Sequence, residues 1–431
     1  MNTIVLALQG CPVGPLGCYG NEWIATPNLD RFAARAVVFD RHFSDAPDLA
    51  PAGRAWRTGR RQTPGIAPAN EPPPDLVRRL KASGVRTILV RHGRAVNDSP
   101  PEFYADWDFK FDARPLPGDR SPQDALIRTL EEVRRATTDG TAWLLWVEID
   151  RFVPPWDVPR DVFEAYVEGL FEDEAPYDPT EHDNSVEAER PVAPDDAIEP
   201  WADPATGWFD ADDLPSWELL HTSFAAAVTT FDADFARLWT TFERYGWDAD
   251  ANVVVTADRG TPLGQHGVIG PHRPWMHEEL VHLPLLVRLA DGAHGGRRVA
   301  AWTQPPDLMP TILAWHAVEA GSAIDGVSLV PLCDGRAFPD RIGYGGLTLN
   351  GVSEWYLRTE TRHLIVPGIA AGDDDDEPRP VMMFSKPDDR WEVNDVWAHF
   401  VEEADVLEAQ LRALLPGVTS PGTPAFRSAG E

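Results

Sequence analysis

Short apolar runs alternate along this chain with segments of helical period, and that alternation narrows the fold more than any other feature. Residues 4–8 are apolar throughout and stop at Gln9-Gly10, the mark of a strand buried on both faces. Pro27 follows Thr26, a residue able to cap a helix over 28–35, and a second apolar stretch at 36–39 comes next. Helical spacing over 76–83 ends at Gly84, before a strand at 86–90; helix 124–135 precedes strand 142–147. A long helix over 222–245 places Phe224, Val228, Phe231, Phe235 and Leu238 on one face and stops at Gly246. Strands at 252–257 and 283–289 complete a βα series, which calls for an α/β domain with a mostly parallel sheet flanked by helices.

Beyond residue 333 the texture changes. Short extended segments at 342–347, 354–358, 363–366 and 381–384 precede an amphipathic helix at 401–415, the pattern of a small antiparallel sheet with one helix packed on it. We expect a large domain over 1–333 and a small subdomain over 334–431. An acidic, Pro- and Trp-rich insertion over about 172–218 interrupts the large domain, with Arg190 its only basic residue between Glu172 and Glu218.

The formal charge of −31 argues against nucleic acid or an anionic membrane as partner, because either would be repelled. The acidic insertion and the run Asp373 to Glu377 read as solvated surface or as a face for a basic protein partner. Cys11, Cys18 and Cys333 have no metal-ligand spacing and imply no disulfide framework. No basic segment precedes residues 4–8 and no run reaches bilayer length, so the expected location is cytoplasmic, with the oligomeric state left open.

Several segments in order resemble the sulfatases of the alkaline phosphatase superfamily. They are Leu16-Gly17-Cys18-Tyr19-Gly20 with Thr26-Pro27-Asn28-Leu29-Asp30-Arg31; Ala46-Pro47, Pro51 and Thr58-Gly59-Arg60; and Pro155-Trp156-Asp157. Further on come residues 253–258, Leu263-Gly264, His266-Gly267, Glu278-Glu279 and Asp307-Leu308-Met309-Pro310-Thr311. The resemblance implies the same α/β domain plus small subdomain, a divalent cation, usually calcium, and a formylglycine nucleophile made from Cys or Ser. Lys and His side chains would surround them to stabilise charge and protonate the leaving group.

Position by position, the residues depart from that pattern. The paired Asp of the first strand fall on Gln9 and Gly10, the nucleophile on Leu49, and its motif arginine on Gly53, with Arg54 one residue late. The family's lysine after the third strand falls on His92, its loop histidine on Val153 and its last lysine on His272. In the final metal pair Asp258 remains and Arg259 replaces its neighbour. We therefore expect no calcium, no formylglycine precursor and a pseudosulfatase that binds an anionic small molecule or a protein partner. Arg54, His92, Arg259 and His272 are the anion-binding candidates. The alternative is an active sulfate or phosphate ester hydrolase using another nucleophile, such as Ser44 or Thr58. Asp258 also reads as a simple partner of a nearby Arg, His266 as loop packing, and His277 and His282 as surface or core residues. His182 to Ser185 brings His, Asp and Ser together without forming a triad.

Overall fold

The structure, a computed structural model, describes residues 1–66, 75–93, 103–119, 121–172, 198–290, 292–368 and 379–415. Most of the acidic insertion, the run Asp373 to Glu377 and His182 to Ser185 lie outside the described residues.

Fourteen strands occur among the described residues. In chain order they are β1 (Asn2–Leu8), β2 (Val37–His42), β3 (Arg86–His92), β4 (Phe109–Ala113), β5 (Trp143–Ile149), β6 (Gly207–Trp208) and β7 (Ala251–Ala257). The rest are β8 (Val268–Ile269), β9 (Leu285–Arg288), β10 (Arg298–Thr303), β11 (Gly343–Leu349), β12 (Val352–Arg358), β13 (Arg362–Pro367) and β14 (Met382–Ser385). Eight of them form one sheet in the order β10-β2-β9-β7-β1-β5-β3-β4. All its pairings are parallel except those β9 makes with β2 and β7.

Alternate residues of β1 serve two cores, as a pleated strand covered on both faces requires. Ile4, Leu6 and Leu8 belong to the cluster that includes Phe224, Val228, Phe231 and Phe235 of the long helix Leu214–Tyr245. Val5 and Ala7 face Trp56, Leu308 and Ile312 on the other side. Each fully buried Phe or Leu of these layers is worth about 1.5–3 kcal/mol, enough to fix the register of the sheet. The long helix starts eight residues earlier than its apolar period indicates, because Asp213 caps it by accepting the Ser216 N–H and Pro215 sits in its first turn.

One local expectation is corrected. Thr26 does not cap the helix Pro27–Ala33; its hydroxyl oxygen instead accepts from the Gly17 N–H at 2.9 Å. The cap comes from the long helix, where the Asp232 carboxylate accepts from the Asn28 N–H at 3.0 Å and the Leu29 N–H at 2.8 Å. An ionised carboxylate at these amides outcompetes a neutral hydroxyl.

The small antiparallel sheet has the order β11-β12-β13-β14, with helix Val401–Leu414 packed on one face through Ala404, Leu407 and Leu411. Its other face meets the large domain through Tyr356 and Phe384, which share a cluster with Phe43, Met276 and Trp302. Tyr356 donates its hydroxyl to the Ser44 carbonyl at 2.6 Å, and Glu354 accepts the Met276 N–H at 2.6 Å. No helix among the described residues is long and apolar enough to cross a membrane.

Candidate functional site

Parallel strands deliver their following loops to one edge of the sheet, which is where α/β folds place ligands. Leu8 pairs in register with Ile149 and with Ala257, so Gln9-Gly10, the loop after Ile149 and Asp258-Arg259 emerge side by side. The helix Leu49–Thr58 points its N-terminus toward this edge, with Asp48 at its cap and Leu49 as its first residue. Pro51 is tolerated within the first turn, where its missing N–H has no intrahelical partner to lose.

Side chains and backbone knot this edge together. Asp258, 1% exposed, accepts from the Gly10 N–H and its own neighbour's N–H, both at 2.8 Å, through Oδ1. Its Oδ2 takes an Arg259 guanidinium N–H at 2.6 Å. Burial raises the Asp258 carboxyl above the ordinary range, and Arg259 and the Gly10 amide pull it back. The Gly10 carbonyl accepts the Thr261 hydroxyl at 2.6 Å. Gly10 has φ +74°, and a Cβ there would lie 2.8 Å from Thr261 Oγ1 and 3.0 Å from Val153 Cγ2. The space an aspartate would occupy is filled. Gln9 is buried beside it, its Nε2 without a hydrogen-bond partner among the described residues.

In front of the knot lies a cavity of about 350 Å³. Arg259, Arg273, Thr261, Val153, Asp48 and Asp203 line it, and Leu347 and Leu349 of β11 add apolar surface. Arg259 also approaches Asp48 to 3.8 Å, so carboxylates on both sides offset its charge. Among the described residues Arg273 has no carboxylate partner, and its Nε is buried without a hydrogen bond. It lies over Trp208 and Trp275, 5.6 and 5.3 Å from the ring centroids.

Of the sequence candidates, the structure brings Gln9, Gly10, Asp258, Arg259 and Val153 together and leaves Gly53, Arg54, His92 and His272 apart. Gly53 is covered by Phe103, whose Cδ2 would sit 3.2 Å from an added Cβ. Arg54 turns along its helix to Gln62 at 3.1 Å. His92 is buried at the end of β3, bonded through Nε2 to the Pro122 carbonyl at 2.9 Å, and burial lowers its pKa. His272 stacks edge-on against Trp208, 5.3 Å between centroids, and is outside the cavity lining. Ser44 is fully buried behind the small sheet, and the Thr58 hydroxyl donates to the Arg54 carbonyl at 2.7 Å within its own helix.

Sequence reasoning passed over Asp48, Thr261 and Arg273. Arg273 stands next to His272, so one residue of alignment offset separates the side chain that enters the cavity from one that does not. Asp48, immediately before Leu49, carried the signal of a helix cap.

Comparison with known proteins gives a consistent assignment. The Sulfatase family model matches residues 171–318. N-acetylglucosamine-6-O-sulfatase of Bacteroides thetaiotaomicron is 31% identical over 123 residues, 28% of this chain and 22% of the relative. A multifunctional alkaline phosphatase superfamily protein of Trinickia caryophylli is 30% identical over 120 residues, 27% of this chain and 23% of the relative. These alignments span less than a quarter of the curated relatives' own length. Over whole chains, the phosphonate monoester hydrolase of Agrobacterium radiobacter superposes with TM-score 0.68 at 17% identity, covering 96% of this chain and 95% of that one. A structure in complex with its substrate D-glucosamine-2-N,6-O-disulfate gives TM-score 0.67 at 16% identity, covering 96% and 97%. These likenesses establish the fold.

Proposed function

We propose, from the premise that this chain is a sulfatase-like member of the alkaline phosphatase superfamily, that it holds a small anion at the carboxyl edge of its sheet without metal and without cleaving it. The observation that carries this reading is that two guanidinium groups, Arg259 and Arg273, line one cavity. A guanidinium keeps its charge at any ordinary pH and offers a fork of donors matched to sulfate, phosphate or carboxylate.

The donor set at the knot does not fit calcium, which takes about six to eight oxygens, several of them carboxylate. Asp258 and the Gln9 amide are the first-strand and last-pair donors present, and both Asp258 oxygens are already engaged. Leu49 offers no atom to oxidise or to attack with. The two alternative nucleophiles, Ser44 and Thr58, lack access to the cavity: one is buried elsewhere and the other is bonded within its helix.

The cavity volume supports a small molecule rather than a protein segment as the occupant. Arg273 completes the recognition, without a carboxylate partner among the described residues and set over the rings of Trp208 and Trp275. We expect calorimetric titration with glucosamine 6-sulfate, sulfate and phosphate, in the presence of chelator, to give one equivalent bound and no released sulfate. Loss of binding in Arg273→Ala and Arg259→Ala would sharpen the assignment. Metal-dependent hydrolysis that survives repurification and vanishes in Asp258→Ala would replace it with an active esterase.

A further inference from the structure

A second set of chemistry-bearing residues lies at the seam between the large domain and the small sheet, away from the cavity. His266 follows β7 in a glycine-flanked loop, His277 and Glu279 flank Glu278 at the short helix Glu278–Val281, and Glu392 comes from the loop after β14. One ligand atom from each of these four residues lies within 4.8 Å of all the others. None of the four lines the cavity. The two imidazoles stack face to face, centroids 3.7 Å apart, and each points Nδ1 at a carboxylate. His266 Nδ1 is 2.7 Å from Glu279 Oε1, and His277 Nδ1 is 2.8 Å from Glu392 Oε2.

Hydrogen-bond accounting leaves one position unfilled by a neutral protein. His266 faces an acceptor on each side, the Glu392 carbonyl oxygen 3.2 Å from Nε2 and Glu279 Oε1 2.7 Å from Nδ1. A neutral ring carries one proton for these two acceptors, so one of its nitrogens turns a lone pair toward an oxygen that only accepts. A second proton satisfies both contacts, and so does a metal ion at Nδ1 with the proton on Nε2. Charge accounting agrees: Glu278, Glu279 and Glu392 bring three carboxylates, while Arg358 at 2.8 Å from Glu278 and Lys386 at 3.0 Å from Glu392 bring two fixed cations.

The neighbouring triad of Glu278, His363 and Glu392 is different. Its gap already holds the Lys386 ammonium, 3.4 Å from Glu278 Oε1 and 3.0 Å from Glu392 Oε1. That lysine, with His363 on the same oxygen, orients Glu392 so that Oε2 turns toward His277. Such outer partners fix a carboxylate for metal binding.

We propose that His266, His277, Glu279 and Glu392 form a zinc-class transition-metal site that clips the small sheet to the large domain. Two imidazole nitrogens and two carboxylate oxygens are a donor set for a tetrahedral ion at roughly 2.0–2.2 Å per ligand. Three ligands come from the large domain and Glu392 from the small one, so the ion closes the seam. Binding takes up the lone pair at His266 Nδ1 and displaces any proton there.

The full-length protein, freed of metal with chelator, is titrated with zinc chloride by calorimetry and with cobalt(II) by visible absorption. We expect one equivalent of zinc, an intense tetrahedral cobalt band that zinc displaces, and a rise in melting temperature with either ion. His266→Gln and Glu279→Gln, both partly exposed, should weaken zinc at least about ten-fold. No saturable zinc binding at millimolar concentration, or an octahedral cobalt spectrum, overturns the proposal in the wild-type chain alone. Zinc affinity unchanged in both folded variants overturns it equally.

Discussion

The sheet edge around Asp258 and the seam around Glu392 are both buried carboxylate sites, yet they resolve their charge in opposite ways. At the edge, one carboxylate meets a guanidinium and two backbone amides, so its oxygens are fully engaged by protein. At the seam, three carboxylates face two fixed cations, and His266 presents nitrogen to an acceptor on each side. Asp258 is thus closed to a cation, whereas the seam lacks one positive charge until a proton or a metal supplies it. Resemblance to a metal-dependent family directs attention to the edge; the local accounting directs it to the seam.

The contrast can be broken most forcefully at Arg259. Arg259→Ala leaves the buried Asp258 without its counter-charge, and we expect a loss of roughly 3–5 kcal/mol in denaturant unfolding at neutral pH. Asp258→Asn in the same background should recover part of that, because an amide needs no counter-ion. A loss near zero for Arg259→Ala would mean the pair is not what closes the edge. Restoring a family carboxylate by Gly10→Asp should cost about 2 kcal/mol, from a left-handed backbone and overlap with Thr261. It should yield no calcium affinity by equilibrium dialysis; a gain of tight calcium binding would show that the edge opens more readily than its packing implies.

A smaller effect comes with acid. Burial depresses His42 to about 3 and His282 to about 4, below the ordinary histidine value of about 6.5. The unfolded chain takes up protons that these folded rings refuse, so their stabilising contribution is full above about pH 6.5 and falls as pH drops toward 4. Between pH 7 and 5.5 each ring should remove about 1 kcal/mol. Asp45, raised to about 6 chiefly by burial, works in the opposite sense and adds less than about 1 kcal/mol over that window. Denaturant midpoints measured across this range should fall on acidification, and a flat profile would show that the rings are solvated. His282→Gln should flatten the slope by its share.

Six strands of the large sheet were legible because burial on both faces writes apolar runs, as in residues 4–8 and 253–255, whereas the edge strands β4 and β10, partly exposed, were not. The four short strands and final helix of the small subdomain were legible by the same patterning. Helix Leu49–Thr58 was not, since Pro51 and Gly53 interrupt its apolar period and its packing against Phe103 is a tertiary contact. Asp232 as the cap of Pro27–Ala33 lies 204 positions from Asn28, beyond any local spacing rule. The seam cluster was hidden for the same reason: His266 and Glu279 are 13 positions apart, but Glu392 reaches His277 across 115. At the edge, the replaced residues could be read one by one, but not that Arg54, His92 and His272 would stay outside the cavity Arg259 enters.

The most direct test of the proposed function follows glucosamine 6-sulfate through incubation with the full-length protein, once with excess calcium and once with chelator, measuring bound sugar and free sulfate together. The account predicts equal binding under both conditions, intact sugar recovered, and no sulfate above the protein-free control. Sulfate release that appears with calcium and stops with chelator would contradict it.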